Sequence, residues 1–107
     1  MRLWGKPRAP MLTTREGVAL LRAVLDDRGG AAILGGSVGL MLNEQQSAEL
    51  AVVSNEYWVA VRRSDEAEAK AKAGQSTWKE AYEAYLPVSD ASGAVARTIR
   101  RWVKLPR

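Results

Sequence analysis

The C-terminal stretch concentrates the residues best suited to act on another molecule. Arg97, Arg100, Arg101, Lys104 and Arg107 fall within residues 91–107, which hold no acid and carry a charge of +5. With Arg97 at 0° and about 100° of rotation per residue, Arg101 lies at about 40°, Lys104 at about −20° and Arg100 at about −60°. Those four cations share one sector, while Ala91, Val95, Thr98, Ile99, Trp102 and Val103 fill the opposite arc. Packed by its apolar side, such a helix holds its bases outward along about two turns. A row of that kind suits phosphates, whose neutralisation releases counterions and dominates nucleic-acid affinity. Arginine adds bidentate contacts to phosphate or to guanine edges.

The other end of the chain is basic too. Residues 1–11 carry Arg2, Lys6 and Arg8 with no acid, for +3, while residues 12–90 hold all 12 acids against 8 bases, for −4. A mildly acidic body between two basic ends points to a polyanionic partner, and DNA is the expected one. The candidate nucleic-acid-binding residues are therefore Arg97, Arg100, Arg101, Lys104, Arg107, Lys6 and Arg8. Gly5, Pro7 and Pro10 make residues 1–11 an extended arm. Trp4 on that arm either stacks on a base or docks on the core or a neighbouring subunit.

Plainer roles compete for the C-terminal cations. Positive charge near a helix C-terminus offsets the dipole, which accounts for Lys104 and in part Arg101. Ion pairing with the acidic middle of the same chain, especially Glu66, Glu68, Glu80 or Glu83, is a second role. A third lays the helix on an anionic membrane surface, with Trp102 at the interface.

Other chemistries lose a required residue. The chain has no Cys and no His, so disulfide scaffolds, zinc ribbons and Cys- or Ser-His nucleophile systems are excluded. Gly30 to Gly35 has the spacing of a phosphate loop, but Gly36 stands where its lysine belongs. Asp26 and Asp27 are adjacent and so diverge by about 100° on a helix, too far to act as a dyad. No enzymatic activity, cofactor or metal is expected.

At 107 residues, with 47% apolar and 26% charged residues, the composition fits one folded domain, taken as residues 12–107. The most apolar run, Ala31 to Leu42, has 12 residues, short of the roughly 20 that span a membrane. The N-terminus lacks the apolar region of a signal peptide. A cytoplasmic protein without membrane contact is the expectation.

The pattern predicts a mainly α protein, a small helical domain with a central long helix. Thr13 or Thr14 caps a first helix with Glu16 in its opening turn, and Val18, Leu21, Val24 and Leu25 form its apolar stripe. Arg28-Gly29-Gly30 ends it. Residues 31–42 form a short β-hairpin around Gly35-Gly36, or an irregular packed segment. Asn43 then caps a helix in which Leu50, Val53, Tyr57, Val61, Ser64 and Ala71 share a sector. Val52 and Val59 lie on its other side, so its middle is expected to be buried nearly all round. Strands at 50–53 and 57–61 are the alternative, but the run 65–73 with Glu66–Lys70 and Glu68–Lys72 pairs favours one continuous helix.

Gly74-Gln75-Ser76 ends the long helix, and Ser76 or Thr77 starts the next through Trp78, Ala81, Tyr82 and Tyr85. Leu86-Pro87-Val88 is expected to break it, with the last helix capped at Ser89 or Asp90. That break invites a helix-turn-helix reading, Trp78–Tyr85 supporting and Asp90–Val103 recognising, although Gly93 inside the second helix fits poorly. Trp58, Trp78 and Trp102 are expected in the core. Apolar residues on two sides of the long helix exceed what a core of this size hides, which suggests a homo-oligomer.

The segment Met41-Leu42-Asn43-Glu44-Gln45-Gln46-Ser47-Ala48-Glu49-Leu50, after a helix ending in glycine, resembles the core of some phage terminase small subunits. The likeness covers roughly residues 12–74 and rests on helical pattern. It departs from the family at Gln46, where an acid is usual, and in being short. It implies an oligomeric, viral DNA-packaging component. A protein–protein adaptor or inhibitor, working through the acidic middle without nucleic acid, is the rival.

Overall fold

A computed structural model describes residues 11–26 and 42–104. The expected arm at 1–11, apart from Met11, lies outside the described residues. So do the glycine stop at 28–30, nearly all of the hairpin at 31–42, Trp4, Lys6, Arg8 and Arg107.

Three helices make up the described chain: α1 (Thr14–Asp26), α2 (Glu44–Lys72) and α3 (Trp78–Arg100). Each begins where a side chain satisfies backbone donors that a helix start leaves free. Thr13 and Glu16 exchange hydrogen bonds at 2.9 and 3.1 Å. Asn43 and Gln46 do the same at 3.0 and 2.8 Å, a reciprocal capping box. The Thr77 hydroxyl accepts from the Glu80 N–H at 3.2 Å. The helical reading of residues 50–61 holds, and strands there do not occur.

α2 and α3 form an antiparallel hairpin that reverses at Gly74. There φ is +75°, a left-handed conformation that glycine adopts without steric cost. The Gln75 N–H donates to the Lys70 carbonyl at 2.9 Å and the Gly74 N–H to the Ala71 carbonyl at 3.1 Å. This closes the end of α2 in a Schellman turn.

Between the helices runs a seam with alternating steps of four and three residues. On α2 it comprises Gln46, Leu50, Val53, Tyr57, Ala60, Ser64, Ala67 and Ala71; on α3, Ala81, Ala84, Val88, Ala91, Val95 and Thr98. All are buried or half-buried. That spacing is the heptad of a coiled coil. Towards Gly74 the seam is nearly all alanine, so the helices approach closely as a thin arm. Towards the other end it thickens into the core of Leu12, Leu20, Val24, Leu42, Leu50, Val95, Ile99 and Trp102. The result is elongated, 65 × 31 × 20 Å.

The expected break at Leu86-Pro87-Val88 is absent. α3 runs unbroken with Pro87 inside it, which removes the turn that a helix-turn-helix requires. Proline costs a helix about 3 kcal/mol. It is tolerated because Pro87 lies on an exposed side, where an unpaired carbonyl can bond to water, while seam residues pack α3 against α2 on both sides of it. Two burial expectations also fail. Trp78 is 60% exposed and Val52 equally so, because neither lies on the seam between α2 and α3. Trp102 is buried as expected, and the Trp58 indole N–H donates to the Val24 carbonyl at 3.2 Å, joining α2 to the end of α1.

Candidate nucleic-acid interface

The cationic candidates sit where α3 leaves the core. Val95, Thr98, Ile99 and Trp102 turn inward and are buried, which obliges Arg97, Arg100 and Arg101 to turn outward. All three are exposed. The two-sided helix expected from the sequence is present up to Arg100, where α3 ends.

Lys104 departs from that expectation. Trp102 and Val103 leave the helix, and Val103 forms a parallel bridge with Leu12. The Leu12 N–H donates to the Trp102 carbonyl at 2.8 Å, and the Lys104 N–H to the Leu12 carbonyl at 3.0 Å. Helical rotation therefore does not place Lys104 beside Arg97. It stays exposed, next to the start of the described chain.

Ala94, Arg97, Thr98, Arg100 and Arg101 line one open recess of about 610 Å³. Its floor is short because Ala94 is small and the Thr98 hydroxyl turns away from solvent to donate to the Ala94 carbonyl at 2.9 Å. No carboxylate lines it. The Arg97 guanidinium folds back along the helix, and one of its nitrogens lies 3.2 Å from the point a Cβ on Gly93 would occupy. Gly93, an anomaly in the sequence pattern, leaves the space this guanidinium uses.

One cation has a partner on its own chain. Arg101 meets Glu49 of α2 at 2.7 Å, and not Glu66, Glu68, Glu80 or Glu83. Pairing with the acidic middle of the chain does occur, then, but through a carboxylate 52 residues away in sequence. Arg97 and Arg100 form no ion pair among the described residues, where the other such pair is Lys72 with Glu68 at 3.2 Å.

No protein-family model, no curated protein and no solved structure matches this chain. Its chemistry has to be read from its own residues. Among the described residues no cluster of three metal-ligating side chains occurs, and no helix is long and apolar enough to cross a membrane.

The Leu12–Val103 bridge has an electrostatic consequence. The described chain begins at Met11 and ends at Lys104, and the bridge makes these points neighbours. The charge of Lys104 therefore lies beside the N-terminal end of the described chain.

Proposed function

We propose that this protein binds nucleic acid, DNA in the first place, through the recess formed by Arg97, Arg100 and Arg101. Lys104 and the basic segments that include Lys6, Arg8 and Arg107 add electrostatic attraction. The observation that carries this reading is the recess itself. Three arginines line one shallow, open stretch of surface together with Ala94 and Thr98, with no acid in the lining. Guanidinium forks match phosphate oxygens two at a time. The Glu49 contact does not cancel the site, because the Arg101 side chain keeps 62% of its surface exposed and an exposed pair is weak enough for a phosphate to replace.

A DNA-packaging or regulatory factor of phage type is the role in which we place this binding. Fluorescence anisotropy with labelled duplex and single-stranded DNA tests it. Binding at low salt that is clearly weakened in the Arg97/Arg100/Arg101→Ala variant supports the reading. No binding to either DNA at low salt overturns it and favours the adaptor.

A further inference from the structure

The hairpin arm carries an apolar stripe outside the seam. Trp78, Tyr82, Tyr85 and Leu86 of α3 expose 60%, 64%, 53% and 45% of their surfaces. Their spacing keeps them within a sector of about 100°. Together they present roughly 400 Å² of apolar surface, comparable to the largest such patch on a typical single chain, which is often functional.

We propose that this stripe is a docking surface for a second copy of this chain, with two α3 helices packed antiparallel about a two-fold axis near Tyr82. Charge complementarity selects that occupant. Lys79 and Glu83 are both exposed, lie on the same flank of the stripe, and make no ion pair among the described residues. In an isologous contact, residue i meets j while j meets i. An axis near Tyr82 sets Trp78 against Tyr85 of the second copy and Tyr82 against its own counterpart. To within one residue, the same axis sets Lys79 against Glu83. Ring layers and ion pairs thus close around a single axis. Glu80, Glu83 and Asp90 along the same stretch disfavour a polyanion there.

The patch is about half of the roughly 800 Å² per partner that stable complexes bury, so the dimer is weak and concentration-dependent. Sedimentation velocity on the full chain from about 1 μM to about 1 mM reads it. The average mass is expected to rise from one chain towards two. Tyr82→Glu, which sets like charges at the axis, is expected to weaken association about tenfold or more while circular dichroism keeps the helix signal. Lys79→Glu weakens it too, and Lys79→Glu with Glu83→Lys restores it; both sites are exposed, so this swap reads the contact without removing a ring. A single-chain mass at every concentration overturns the proposal, including the case in which another protein occupies the stripe. So does a dimer that neither Tyr82→Glu nor the charge swap alters.

Discussion

Glu49 on α2 holds the Arg101 guanidinium at 2.7 Å, immediately after α3 ends. Both side chains are more than a third exposed, so the pair is worth no more than about 1 kcal/mol to stability. Its larger effect is on the recess, where it sets a carboxylate against one of three cations. Glu49→Gln is expected to leave the unfolding midpoint nearly unchanged and to tighten DNA binding about two- to fivefold. Parallel thermal melts and anisotropy titrations measure both. Weaker binding in this variant would contradict the competition.

Gly17 is fixed by close approach. A Cβ there would lie 2.5 Å from Cγ2 of Val103, and Val103 is β-branched and tied to Leu12. Gly17→Ala is expected to destabilise by about 1–3 kcal/mol in urea unfolding, despite the better helix propensity of alanine. Adding Val103→Ala removes the colliding methyl, so the double variant is expected to recover part of that loss.

Gly93 behaves in the opposite sense. Its would-be Cβ meets only the far end of Arg97, at 3.2 Å, and a long side chain can swing aside. Gly93→Ala is expected to raise stability by about 1 kcal/mol and to weaken DNA binding, because Arg97 loses its bed. Stabilisation with unchanged affinity would show that the position of Arg97 is immaterial.

What was legible in the sequence is what is local. Thr13, Asn43 and Thr77 could be read as caps because the donors they satisfy lie three residues away. The inward set Val95, Thr98, Ile99 and Trp102 followed from helical rotation alone. Pro87 misled because its cost is local while the seam that offsets it spans two helices. That seam had a signal, the three-and-four spacing of Ala60, Ser64, Ala67 and Ala71 and its echo in Ala81, Ala84, Val88 and Ala91. It is easily taken for helix composition rather than for an interface. Trp78 misled for the same reason, since it lies off the seam. Lys104 left the predicted sector because Leu12, remote in sequence, draws Val103 out of the helix. Arg101 and Glu49 had no local signal.

The start of α1 carries a pH dependence. Hydrogen bonding from the Thr13 backbone N–H, and then from its side chain, holds the Glu16 carboxyl below the usual carboxylate range. A depressed value means that the contribution is full above the unfolded-state pKa of about 4.3. It is lost as pH falls through the lower folded-state value. Glu16→Gln, which keeps an acceptor for the Thr13 N–H but removes the charge, is expected to destabilise above that window and to lose much of its effect below it. Chemical denaturation at a series of pH values measures the convergence. A Glu16→Gln penalty that stays constant into acid would mean that the carboxylate charge takes no part.

The most direct measurement is the salt dependence of DNA binding by the wild type and by Arg97/Arg100/Arg101→Ala. Each neutralised phosphate contributes about 0.9 to the slope of log affinity against log salt, so removing three contacts is expected to flatten that slope by about 2.7. Identical slopes for the two proteins, or no binding by the wild type at low salt, would contradict the assignment of the recess to phosphate.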